Sequence, residues 1–200
     1  CAGYPFFALD SRTQRVQHDG HCNLDANHML GQPSRPAAPG HRGQIEMLCE
    51  WLLLQQKKIG NRAKFIITPS PFVPNGIETA GSDARAQRKK CEDDAWAAFP
   101  ETRRQLLQTI VSGKVQNVVF LCGDAHSSCV AEIGFTHKHG GELPLRALAI
   151  TSSAFYWPWP FSDGEEDSYV HDSEKQNDQF EVNAEVVMNY KACAFEPRDN

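Results

Sequence analysis

The run Val118-Val119-Phe120-Leu121-Cys122-Gly123-Asp124-Ala125-His126 passes from five consecutive apolar residues to a carboxylate and an imidazole. An unbroken apolar run of that length, closed by glycine, reads as a strand covered on both faces, which is the habit of parallel sheets. In open α/β sheets, ligands collect where loops leave the carboxyl ends of such strands. Gly123 is expected to turn the backbone tightly there, and Asp124 and His126 then point into one small volume. A hard carboxylate beside an imidazole suits iron, zinc or manganese better than calcium alone. Ser127 and Ser128 follow at once and are placed to orient such ligands through hydrogen bonds. The same Asp-x-His triplet also fits a plain surface turn, and composition does not separate the two.

Outward from this run the chain alternates between strand and helix patterns. Pro5 to Leu9 is a short aromatic-rich strand that delivers Asp10-Ser-Arg12 at its end, and Lys64 to Thr68 is another, closed by Pro69 and Pro71. Gln44 to Lys58 reads as a helix with Ile45, Leu48 and Leu52 on one face. Lys57 and Lys58 complement its terminal dipole, and Gly60 ends it. Pro100 and Glu101 open a second helix, with Leu106, Leu107, Ile110 and Val111 as its apolar face and Gly113 after it. Downstream, Cys129 to Phe135 alternates, Gly140-Gly141 supplies a turn, and Leu145 to Ile150 returns as a hairpin partner. Phe180 to Phe195 again suggests paired strands. Residues 16–40 and 70–95 read as loops, as does the aromatic-acidic stretch 155–178. These elements predict an α/β fold with a mixed sheet, in a single domain over residues 1–200.

Composition narrows the partners. The 200 residues are 40% hydrophobic and 22% charged, with a net charge of -5 and a pI near 5.9. That balance offers no basic stripe for a phosphate backbone, so nucleic-acid binding is not expected. It is compatible with a phosphorylated small molecule, because bound cations reset the local field. No apolar run approaches the roughly 18 residues of a membrane span. The seven cysteines are an odd number and sit partly in apolar runs, which favours buried thiols and a cytoplasmic, reducing setting over a disulfide framework. The chain opens on Cys1, not Met, so a periplasmic or secreted destination stays open.

Several further residues carry two readings each. Asp10 and Arg12 at a strand end make either a loop cap with an ion pair or, through Arg12, a bidentate clamp on phosphate oxygens. Trp96, beside Asp94, is an anchored loop aromatic or a pocket wall. His18, His21, Cys22 and His28 match no standard zinc spacing and read as a solvated loop. His137 and His139 flank a turn. The segment Phe155 to Phe161 either stacks on a substrate or packs on its own domain.

In order along the chain stand Phe7-Ala-Leu-Asp-Ser-Arg12, Gly43-Gln44 with Trp51-Leu52, and the stretch from Phe65 to Phe72. Asp94-Ala-Trp96 through Phe99-Pro-Glu-Thr-Arg103 comes next, then Phe120-Leu-Cys-Gly-Asp-Ala-His-Ser-Ser128 and Ile150-Thr-Ser-Ser153. This colinear set resembles the alkaline phosphatase D (PhoD-like) family of metallophosphatases. The resemblance implies a calcineurin-like metallophosphoesterase fold, of which this chain would be half of a four-layer α/β sandwich. It implies a phosphomonoesterase or phosphodiesterase acting on a small phosphate ester with two metal ions drawn from iron, zinc, manganese or calcium. By the same carry-over Asp124 and His126 are metal ligands, and Arg12 and Arg103 are site residues. The family's earlier Gly-Asp and Asp-Asp-His elements do not occur here; Asp93-Asp94 is followed by Ala95. The expectation is therefore a C-terminal part whose partner is the N-terminal half of the same polypeptide, without a competent two-metal site of its own. A non-catalytic scaffold or binding domain on the same fold is the alternative.

Overall fold

The computed structural model describes residues 3–17, 24–31, 42–73, 94–124, 128–152 and 179–195. Seven strands form one sheet: β1 (Phe6–Ala8), β2 (Lys64–Thr68), β3 (Val118–Cys122), β4 (Ser128–His137), β5 (Glu142–Ser152), β6 (Gln179–Glu181) and β7 (Val186–Phe195). Their order across the sheet is β1-β2-β3-β5-β4-β7-β6. β1, β2, β3 and β5 run parallel, whereas β4 is antiparallel to both β5 and β7, and β6 to β7. This is the mixed α/β sheet that the order of sequence patterns predicts. The expected hairpin is present, but β5 inserts between β3 and β4, so the strand that follows the Cys122–Asp124 turn is not the neighbour of β3.

Helices α1 (Gln44–Ile59) and α2 (Pro100–Ser112) pack on each other and on one sheet face. α1 buries Ile45, Leu48, Cys49 and Leu52, the stripe expected from its period, and the Gln56 side chain accepts a hydrogen bond from the Gln116 amide at 2.9 Å. α2 has Pro100 in its first turn, where a missing N–H costs nothing, and buries Leu106, Leu107 and Ile110. On the covered face of the sheet, Phe7, Ile66, Phe120, Ala149 and Ala131 share one lateral row. Phe72 stacks flat on Phe120 at 3.8 Å, and Trp51 of α1 meets Phe7 edge-on. Tyr4, Phe6 and Ile67 share the opposite side of β1 and β2 with Phe65, and each of the three is more than 40% exposed.

Lys64 begins β2 on the covered face and is wholly buried. Its ammonium donates to the carbonyls of Gly60, Arg62 and Gln116 at 2.6, 3.0 and 2.9 Å. This ties the end of α1 to the entry of β3, and among the described residues no carboxylate pairs with the ammonium. Burial is the cause that holds the Lys64 pKa below its usual 10.5.

Part of the stretch 16–40, expected to be loop, is sewn to the core. Val16 and His28 form a bridge, Leu24–Ala26 is a 3-10 turn, and Met29 and Leu30 are buried. The Asn27 amide donates to the Ala98 carbonyl, and the Met29 N–H donates to the Thr102 hydroxyl at 3.2 Å. That stretch is rich in Gly, Pro, His and Asn, which masks the Met29-Leu30 pair that anchors it. Cys49, Cys122 and Cys129 are free buried thiols, as their apolar surroundings suggest.

Candidate metal and phosphate site

The carboxyl ends of β1, β2, β3 and β5 lie at one edge of the sheet, together with the start of β4, whose Ser128 is paired with Ser152. Each strand end delivers something different. After β1, Asp10 is held by Gln44 at the start of α1. The Gln44 amide accepts from the Asp10 N–H at 2.8 Å and donates to the Asp10 carbonyl at 3.0 Å. The Asp10 carboxylate accepts from the N–H groups of Arg12 and Thr13 and from the Thr13 hydroxyl. The Thr13 hydroxyl and N–H hold the Asp10 pKa below the usual carboxylate value. Asp10 is thus the loop cap of its two readings, and it aims Arg12.

Arg12 spreads its guanidinium across two carboxylates. One nitrogen lies 2.6 Å from an Asp94 oxygen and the other 2.8 Å from an Asp124 oxygen. Arg15 stands 3.6 Å from the same Asp94 oxygen. Burial works against the Arg12 charge, but the attraction of Asp124 and Asp94 outweighs it and raises the pKa further. Asp124 behaves in the opposite sense. Burial pushes its pKa up, repulsion from Asp94 adds to this, and Arg12 offsets only part. The two carboxylates are close enough to hydrogen-bond each other. A like-charged pair brought together and bridged by a cation is the electrostatic pattern of functional sites more than of random surface.

Local backbone explains how Asp124 gets there. Gly123 was expected to take the unusual turn conformation, yet the left-handed residue is Asp124 itself, at φ 73°. Aspartate enters that region more readily than most side chains, and Lys114 and Asn117 do so too, at φ 48° and 54°. Gly123 serves a different need: a Cβ at that position would come 3.2 Å from the Pro69 carbonyl, so glycine lets the β2 and β3 exits approach closely. Asp94 is positioned by its neighbour Trp96, whose N–H donates to the Pro71 carbonyl and whose indole donates to Thr68 at 3.0 Å. Trp96 is fully buried and edge-on to Phe72, so it is an anchor and not a pocket wall.

Of the residues predicted for the site, Arg12 and Asp124 are in direct contact, and His126 lies outside the described residues. Arg103 is 1% exposed on α2, its guanidinium over the rings of Phe72 at 5.3 Å and Phe180 at 4.8 Å. The ion pairs that join Arg12, Arg15, Asp94 and Asp124 do not include it. The Cys122 thiol, one strand position below the turn, is pushed up by burial to about 11, which leaves it neutral and unreactive. Asp94 and Arg15 had no site role in the sequence reading, since neither sits at a strand end. His18, His21, Cys22 and the segment 155–161 lie outside the described residues, while His137 and His139 are exposed beside the β4–β5 turn.

A family model for PhoD-like phosphatases matches residues 4–192. The chain belongs to the PhoD-like phosphatase family. A solved structure titled "Structure of PhoD" is similar to it at a TM-score of 0.48 and 16% sequence identity, over 76% of this chain and 27% of that one. The chain thus spans about a quarter of the length of that PhoD protein. Comparison with curated proteins gives no match. Asp94 and Asp124 bring two carboxylates to one guanidinium, and hard oxygen donors of this kind fit a hard or borderline cation. Among the described residues no group of three or more His, Cys, Asp or Glu side chains is assembled that could hold a metal ion. Among the described residues, too, no helix is long and apolar enough to cross a membrane.

Proposed function

We propose that this PhoD-like chain contributes to a metal-dependent phosphoric ester hydrolase, with a small phosphate monoester or diester as substrate. The observation that carries this is the Arg12–Asp94–Asp124 contact at the carboxyl edge of the sheet in a chain of that family. In this reading Asp124 and His126 hold metal, with Asp94 facing the same point. When bound, two cations supply an activated water and neutralise charge on the phosphoryl group in flight. The chain's own residues do the positioning. The Asp10 cap and the Gln44 clamp fix the backbone of Arg12, so that its planar fork can meet two phosphate oxygens at once. Asp124, preset at φ 73°, turns its carboxylate inward without waiting for substrate. Arg103 supports the site at a remove, by holding Phe72 against Phe120 beneath the loop that carries Trp96.

The test is hydrolysis of an aryl phosphate monoester and an aryl phosphate diester by the full-length protein with added Fe, Zn, Mn or Ca salts. Asp124→Ala is expected to lower kcat by more than about a hundredfold, beyond the effect typical of residues that merely support a ligand. Full activity and full metal content in that variant would sink the assignment and leave a non-catalytic binding domain in its place.

A further inference from the structure

Arg12 satisfies two carboxylates that belong to different loops. It does not make the usual two-pronged contact with one: its nitrogens lie 2.6 Å from Asp94 and 2.8 Å from Asp124. Those oxygens are the ones a cation would use, at roughly 2.0–2.6 Å. A guanidinium in hydrogen-bond contact with both and a metal ion coordinated by both cannot share that space or that charge. The side chain is also able to leave. Arg12 is 43% exposed at its side chain, while its backbone is pinned by Asp10, so the fork can swing without unfolding the loop. The carboxylates cannot follow easily, since Asp94 is fastened through Trp96 and Asp124 stands two residues past the end of β3.

We infer that Arg12 is an internal counter-ion that holds the Asp94–Asp124 pair in the metal-free protein and must be displaced for a cation to bind between them. The inference rests on the metal-dependent reading above and adds to it a competition and an order. Without its counter-ion the two anchored carboxylates would face each other with their repulsion uncompensated. With it, that repulsion is relieved, and metal affinity is lowered by the fraction of time the guanidinium is in place. Once displaced, the same guanidinium stands free beside the bound cation, where an anionic phosphate ester would meet it. Arg12 therefore acts in turn on the two carboxylates and on the substrate, and metal binds before ester.

The experiment titrates chelator-treated full-length protein with Zn2+ by calorimetry and follows the Arg12 side-chain N–H signal by NMR. Arg12→Gln should bind Zn2+ about tenfold more tightly than wild type, since the competitor is gone. Arg12→Lys keeps the charge but loses the fork, and should fall between. In the wild type, saturating Zn2+ should move the Arg12 signal from a protected position to a rapidly exchanging, solvent-like one. Equal or weaker Zn2+ affinity in Arg12→Gln, or an Arg12 signal that stays put at saturation, overturns the counter-ion role while leaving metal dependence intact. Absence of Zn2+ binding by wild type and variants alike overturns both readings together.

Discussion

The two ends of the sheet each hold a cation, and they hold it differently. At the amino end, Lys64 is wholly buried in a cage of three backbone carbonyls, from the Gly60 cap of α1, the turn after it and the loop before β3. At the carboxyl end, Arg12 is 43% exposed and lies between two side-chain carboxylates on separate loops. Carbonyl dipoles are part of the backbone and cannot be traded for another ligand, so the Lys64 cage is structural. Carboxylates carry formal charge and accept a metal as readily as a guanidinium, so the Arg12 contact is exchangeable. One arrangement spends its cation on holding the fold, the other on keeping a site ready.

That contrast can be broken at either end. The largest expected effect is on folding: Lys64→Met strands three buried carbonyls and should cost about 3 kcal/mol in urea unfolding. A loss below about 1 kcal/mol would mean that water enters the cage and that it is not structural. A smaller effect is expected in alkali. Because burial holds the folded Lys64 pKa below 10.5, the unfolded chain binds more protons between the folded value and 10.5. Wild type should therefore gain stability relative to Lys64→Met as pH rises through that window. The opposite slope in urea midpoints would show that the carbonyls raise the ammonium pKa more than burial lowers it. Smallest of all, Arg12→Gln should cost the metal-free protein less than about 1 kcal/mol in Tm-derived stability, because the pair is partly solvated. A loss as large as that of Lys64→Met would erase the distinction between the two ends.

How much of this was legible in the sequence followed the range of the interaction. β2 and β3 have the bounds their apolar runs predict, and α1 and α2 lie where period, proline and glycine put them, because each signal is local. The insertion of β5 between β3 and β4 is a pairing choice between distant segments, and no local pattern records it. The candidate site was half legible for the same reason. Asp124 and Arg12 stand out at strand ends, whereas Asp94 and Arg15 gain their place only when the 3-10 turn Trp96–Ala98 docks on β2. Arg103 was singled out by a motif, and the packing that sets its guanidinium over the rings of Phe72 and Phe180 was not legible in it. Even Gly123 was read correctly as necessary but for the wrong constraint, since a close approach between loops leaves no trace in a single chain segment.

Trp96 has a use that its packing makes available. It lies two residues past Asp94, sealed from water, with its indole on Thr68 and its ring against Phe72. Such an indole emits at short wavelength and is shielded from dissolved iodide. Any ligand that loosens the Asp94 turn from β2 would redden that emission and open it to quenching. With Trp51, Trp157 and Trp159 changed to phenylalanine, Trp96 would be an unlabelled optical gauge beside the site, against which the arrival of metal and of phosphate ester can be timed separately.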